Sequence, residues 1–387
     1  MSAFSGGTSN GGSAFSAAAA FCTANPTPTW LTGLEAGVLD EQGTGHFFVT
    51  ANAAIDATVR RSGNYSLSLN KTGTGSADAR VTVSGAPGVL VMRFALRFVT
   101  LPAGNVDKLA YAPPNGGNVA TLGYDSATQK LKAQFLTGSS VLASSTVSAG
   151  TWYLIDMKIK ANANPHTIDW RIGGTPQSQV TDAASATTIN TPMAFGSNTS
   201  ADRHNVNVDD MMLSTTEADY PIGDGHILGL APDSVGTVND PSGYLQNDDG
   251  TAVGSTSWQR VDEVPMTSLS DYVKQTGNDA NAYATIGFAN VASGCVRGVS
   301  ALATIHSSAT QANNAKTSIF DGATERVVFQ GDLSPGAAFE HQAAAIAPAS
   351  GSWDTTKLSG LVARVGYATD ASPVPYWDAL QLEYDSG

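Results

Sequence analysis

Asn205-Val206-Asn207-Val208-Asp209-Asp210-Met211-Met212-Leu213 alternates polar and apolar residues and then runs apolar, with an acidic pair at the change. The pattern predicts a β-strand with one buried face and carboxylates at its buried end. Shortly after it, Pro221-Ile222-Gly223-Asp224-Gly225-His226 concentrates turn formers. One domain is therefore expected to close near Tyr220 and another to open beyond it.

Upstream, alternating stretches at 66–69, 80–83, 89–99, 119–124, 131–136, 152–159 and 167–172 are separated by turn residues, as in a two-sheet sandwich. Within 91–98, Met92, Phe94, Leu96 and Phe98 share one face; Arg93 and Arg97 share the other and are expected to face solvent. Downstream, 223–230 opens the second unit and 232–257 reads as a long polar loop. Strands are expected at 282–288, 296–305, 325–330, 361–367 and 376–384. The expected fold is all-β: two jelly-roll-like β-sandwich domains over 30–220 and 221–387, preceded by an extended N-terminal arm over 1–29.

Composition agrees with that class. The 387 residues include 40 Gly and 17 Pro, and only 14% are charged, which describes short strands joined by many turns. The net charge of −13 is uneven: residues 1–220 carry 13 basic and 15 acidic side chains, residues 221–387 carry 7 and 18. An acidic second half disfavours nucleic acid and anionic lipid as partners. No apolar run reaches the ~18 residues that span a bilayer, so no membrane insertion is expected. Segment 16–21 is small and apolar but lacks the basic flank of a signal peptide. Cys22 and Cys295 are expected as separate, mostly buried thiols, with a disulfide between them as the alternative. The Gly/Ser/Ala-rich residues 1–25 have little surface to bury against backbone entropy, so they need either their own domain or neighbouring chains to order them.

Sites for chemistry are sparse. Glu217-Ala218-Asp219-Tyr220-Pro221-Ile222 approaches the Glu-x-Asp-x-x-Glu of a sandwich glycosidase but lacks the final Glu. Gly7-Thr8-Ser9-Asn10-Gly11 matches Gly-x-Ser-x-Gly without a flanking strand and helix. The six histidines show no metal-binding spacing, and no phosphate-cradling loop is present. Asp248-Asp249-Gly250 reads as a turn. No catalytic residue is assigned. Tyr111, Tyr124 and Trp170 are candidates for stacking on a glycan, with Trp377 in the second domain; single aromatics in strands otherwise belong to the core.

Three stretches, Gly33-Leu34-Glu35-Ala36-Gly37, Arg61-Ser62-Gly63-Asn64-Tyr65-Ser66-Leu67-Ser68-Leu69 and residues 205–213, resemble concanavalin A-like, carbohydrate-binding-type jelly rolls. The Gly-Asp-Gly joint follows, and the second β unit carries Trp258-Gln259-Arg260-Val261-Asp262-Glu263-Val264-Pro265 and Asp271-Tyr272-Val273. With these, the chain is similar to minor tail and other virion structural proteins of tailed bacteriophages. That resemblance implies a non-enzymatic virion component on the tail or capsid exterior, joined to other virion proteins and to copies of itself. The alternatives are a host-surface glycan-binding adhesin, a capsid decoration or head-fibre protein, and a secreted polysaccharide-degrading enzyme. The likeness of the first domain to carbohydrate-binding jelly rolls implies a structural Ca²⁺ held by Glu35 with Asp209 or Asp210 and backbone carbonyls. Otherwise Glu35 is exposed and the Asp pair caps backbone amides.

Overall fold

The computed structural model describes residues 26–387 except 27, 38, 40, 44–46, 50–51, 74, 83–84, 114–118, 137, 184–186, 191–192, 198–201, 263–270, 278, 280, 292–294, 308–314, 332–339 and 368–374. Cys22 and the arm over 1–25 lie outside the described residues; Cys295 is half-buried.

The chain is all-β. A first sheet runs in the order Thr175–Pro176, His166–Ile172, Trp152–Lys160, Val89–Thr100, His204–Ser214, Ser66–Lys71, Ala53–Asp56, with Trp30–Thr32 added beside His204–Ser214. It packs against the half-sheet Ser140–Thr146, Lys130–Phe135, Ala120–Asp125, Val106–Ala112, Met193–Ser197, Ala77–Val81, Phe47–Val49. The alternation of Met92, Phe94, Leu96 and Phe98 supplies the middle of the core between them. Phe94 meets Phe195 of the opposite sheet edge-on, with ring centroids 5.1 Å apart at 71°.

The half-sheet does not stop at its edge. Phe47–Val49 passes to Glu41–Gly43, which pairs in parallel with Glu340–Ile346. The sheet then continues through Val296–Ser307, Pro375–Ser386, Val273–Gln275 and Leu245–Asn247. This second half faces a five-stranded sheet of Pro232–Asn239, Tyr283–Phe288, Val362–Tyr367, Ala315–Asp321 and Thr324–Gly331. A separate core of Trp377, Ile305, Leu380, Ala284, Val365 and their neighbours lies between them. The two cores fall on either side of the Pro221–Gly225 turn.

The strand expectations at 66–69, 89–99, 152–159 and 167–172 correspond to observed strands to within a few residues. The polar stretch 232–257 is not one loop: Pro232–Asn239 forms an edge strand with five of its eight residues exposed, and Leu245–Asn247 pairs with Val273–Gln275. An edge strand solvated on both faces carries little apolar pattern, so periodicity does not reveal it.

Phe94→Ala should cost ~3–5 kcal/mol, since it leaves a cavity in a fully buried ring pair. Denaturant unfolding monitored by circular dichroism checks this through a lowered midpoint with an unchanged slope.

Candidate functional site

The expected solvent face of Val89–Thr100 is only partly exposed. Arg97 is half-exposed and donates from Nε to the Gly150 carbonyl at 3.1 Å, but Arg93 is fully buried. Its sheet face is covered by the opening of the second sandwich, where Ile222 and Ile227 pack on Val89, Val91, Leu31 and Met212. Arg93 Nη1 donates to both Asp385 carboxylate oxygens at 2.9 Å, and its Nε donates to the Asp210 carbonyl at 3.3 Å. Arg297 approaches the same carboxylate from the other side, with Nε 3.0 Å from Oδ2 and Nη2 3.2 Å from Oδ1, while its Nη1 donates to the Ile222 carbonyl. Asp385 is thus held between two guanidiniums, one from each sandwich. Gly225 passes against this triad so closely that a Cβ there would overlap Arg297, Asp385 and Arg93. Asp156 lies buried beside it and accepts from the Gly223 amide at 3.2 Å.

Glu35, Asp209 and Asp210 belong to the same joint. In a regular strand Asp209 and Asp210 would point to opposite faces. A bulge shifts the register between Asp209 and Met212, and Asp210 sits at φ 51°, a left-handed conformation that Asp tolerates better than most residues. Both carboxylates therefore meet the 61–64 loop. Asp209 accepts from the amides of Arg61 at 2.7 Å, Ser62 at 3.3 Å and Asp210 at 2.7 Å. Asp210 accepts from Ser62 Oγ, from the Ile227 amide at 2.6 Å and from Arg61 Nη1, and Arg61 also reaches Asp224 and the Gly225 carbonyl. Glu35 receives the Asn64 amide on both oxygens, at 2.8 and 3.0 Å, and Gly63, at φ 54°, leaves the space its carboxylate fills. Glu383 of the second sandwich then accepts from the amides of Gly33 at 3.1 Å and Glu35 at 2.7 Å.

These contacts decide the calcium expectation. Glu35 is fully buried, not exposed, and the Asp pair caps backbone amides. The expected ligands are neighbours, but their oxygens are turned to peptide N–H groups and to Arg61. Among the described residues no three acidic, His or Cys side chains come together to hold a metal. The residues as placed do not fit Ca²⁺. Burial, followed by the nearby charge of Glu383, pushes the Glu35 carboxyl up to about 9, so it holds a proton at neutral pH. Burial and the charge of Asp210 raise Asp209, and burial raises Glu383.

The glycan candidates separate. Trp170 is buried in the first core with Nε1 donating to the Ser178 carbonyl at 2.9 Å, and Tyr124 is buried 5.3 Å from the Phe98 ring. Neither can stack on a ligand. Their parity with Ile168 and Leu122 was the available signal. Trp377 is likewise buried, with Nε1 on Thr317 Oγ1 at 3.1 Å. Tyr111 alone lies on the outer face of its sheet, half-buried, in one cross-strand row with Gln134, Thr121, Ala194 and Arg80. Arg80 pairs with Asp78 at 2.5 Å, and Lys108 Nζ is 5.1 Å from the Tyr111 ring.

The remaining acidic motifs have local work. Glu217 pairs with Lys160 at 3.0 Å, and Asp219 accepts from Ser214 Oγ. Arg260 ties Asp248, Asp249 and Asp271 together at 2.8 to 3.1 Å. Among the described residues no helix is long and apolar enough to cross a membrane.

No family model matches the chain, and no curated protein matches it. Similar solved structures include a cellulose-induced protein, Cip1, at 18% identity over 46% of this chain and 88% of that one, with a TM-score of 0.35. The binding domain of Paraclostridial Mosquitocidal Protein 1 is 11% identical over 70% and 77%, with a TM-score of 0.37. A Trypanosoma rangeli sialidase in complex with 2,3-difluorosialic acid is 15% identical over 46% and 30%, with a TM-score of 0.33, so the match spans under a third of that enzyme. An alginate lyase is also among them. Some of these proteins are enzymes, but likenesses this distant carry no argument about activity. Fold and site together define a two-sandwich β-protein with a charge-filled joint.

Two outcomes test the joint. The Glu35 pKa is raised from 4.5 unfolded to about 9 folded, so its contribution is fully present below about pH 4.5 and is lost as pH rises through 9. Stability should fall across that window by up to ~1.4 kcal/mol per pH unit for this one proton, and Glu35→Gln should flatten the profile measured by thermal melts. With the carboxylates occupied by protein donors, EDTA should leave the melting temperature unchanged; a drop reversed by calcium would reinstate the ion.

Proposed function

We propose that the chain is a non-enzymatic structural component of a tailed-phage virion, a minor tail protein that assembles through residues 1–29 and its sandwich domains with other virion proteins and copies of itself. The observation that supports this reading most is the filled joint. Proteins that close on a ligand between domains keep a solvated cleft there, and loosely joined domains move relative to one another. Here Arg93, Asp385 and Arg297 are buried in the joint, flanked by the apolar contact of Leu31, Val89, Met212, Ile222 and Ile227. A building block of a particle benefits from presenting its surfaces in one fixed arrangement. The acidic residues nearest to a glycosidase pair, Glu217 and Asp219, are engaged by Lys160 and Ser214.

A second reading, a host-surface glycan adhesin, is favoured in the first sandwich by Tyr111. Its half-exposed ring stands on a polar sheet face beside Arg80, Gln134 and Lys108.

A chain starting at Pro26 should melt within ~2 °C of the full chain, a change that corresponds to no more than ~1 kcal/mol for domains of this size, yet fail to enter virions. Normal incorporation of the truncated chain overturns the assembly role of the arm. Incubation of the full chain with polysaccharides, cell walls and esters should release no product; turnover abolished by one carboxylate or serine substitution overturns the non-enzymatic reading. Glycan-array binding lost in Tyr111→Ala would establish the adhesin.

A further inference from the structure

We infer that the second sandwich carries a saccharide-binding subsite built on Tyr376, Tyr272 and His306, at the end of its large sheet away from the joint. In Pro375–Ser386 the inward residues Trp377, Leu380 and Leu382 enter the core, so Tyr376 lies on the opposite face. Cross-strand partners place His306 on one side of it and Lys274 on the other. The His306 and Tyr376 rings are parallel, 4.5 Å apart at 7°, and Tyr272 presents its ring nearly perpendicular to both, at 4.8 and 6.0 Å. Lys274 Nζ is 5.7 Å from the Tyr272 ring, and Gln246 is the register partner of Lys274. All five side chains are partly exposed.

Nearer the joint the same sheet face is covered. Ala36 packs on Leu302, Ala343 and Ala379, and Glu383 lies under the amides of Gly33 and Glu35. At the far end Tyr272, His306 and Tyr376 are each partly exposed.

The group is held from behind. The register of Pro375–Ser386 on Val296–Ser307 shifts between Thr304 and Ile305, which makes Asp378 the extra residue of a bulge. Asp378 is buried, with Oδ2 2.7 Å from His306 Nδ1 and Oδ1 without a partner among the described residues. A carboxylate behind a histidine orients the ring. The bulge therefore places an oriented imidazole in the stack, where sheet packing alone needs only an apolar ring.

The chemistry favours a polyhydroxylated ring. Aromatic faces take the C–H side of a pyranose, and the ammonium of Lys274 and the Gln246 amide offer both signs of hydrogen-bonding partner to its hydroxyls. A purely apolar ligand would desolvate those groups without replacing their bonds to water.

The test uses the full chain and isothermal titration with cellopentaose, maltopentaose, the N-acetylglucosamine pentamer and soluble bacterial cell-wall polysaccharide. At least one should bind. Tyr376→Ala and Tyr272→Ala should each weaken that binding about tenfold or more, while Tyr272→Phe stays within about threefold because the ring face is kept. Tyr111→Ala, in the other sandwich, should leave it unchanged. If Tyr376→Ala alters the melting curve, the two Tyr272 variants decide, since that residue precedes the paired strand Val273–Gln275. Failure of every saccharide to bind, binding that survives Tyr272→Ala, or binding lost only in Tyr111→Ala overturns the site.

Discussion

Asp385, enclosed by Arg93 and Arg297, is the interaction on which the relation between the sandwiches depends. Removing three charges from water is costly, and the attraction offsets that cost only when geometry is good and remaining donors are bonded. Here Arg93 and Arg297 both grip the carboxylate, and the Asp210 and Ile222 carbonyls take further guanidinium N–H groups, while Arg93 Nη2 is buried with no partner among the described residues. Such a triad contributes less net stability than specificity. A displaced second sandwich would leave Arg93 buried without its counter-charge, which makes alternative dockings expensive. Gly225 belongs to the same constraint, because no side chain fits where the chain crosses the triad.

Around the triad the acids outnumber the bases. Glu35, Glu383, Asp209, Asp210, Asp156 and Asp385 face Arg61, Arg93 and Arg297 within one buried region. Two remedies are visible. Backbone amides of Gly33, Glu35, Arg61, Ser62, Asn64, Asp210, Gly223 and Ile227 solvate the carboxylates, and raised proton affinity keeps Glu35 neutral. Each carboxylate also ties one loop to the next, from the second sandwich through the first and back to Ile227. The cluster is therefore a set of connections before it is a binding site.

The all-β class and several strands were legible because alternation at 66–69, 89–99 and 152–159 reports a half-buried sheet directly. Alternation does not report what covers the other face. Arg93 and Arg97 share a parity, yet only Arg93 is sealed by Ile227 and by Asp385, which lies 292 residues away. The acidic pair was recognisable as special, but the bulge at Asp210 that turns both side chains to one loop leaves no periodic trace. Trp170 and Tyr124 drew notice by residue type although their parity with Ile168 and Leu122 placed them inward. His306, Asp378 and Tyr376 were missed because their meeting depends on a register shift between distant strands.

The parallel splice of Glu41–Gly43 onto Glu340–Ile346 has a mechanical consequence. The hydrogen-bonded sheet crosses from one sandwich to the other through this splice and the single pair of Glu41 with Phe47. A pull that separates the sandwiches loads this ladder and the guanidinium clamp together. Bending about the Pro221–Gly225 turn is opposed in the same way. Two modules that would hang from a single flexible tether instead behave as one beam, and tension entering either end is carried by the sheet itself.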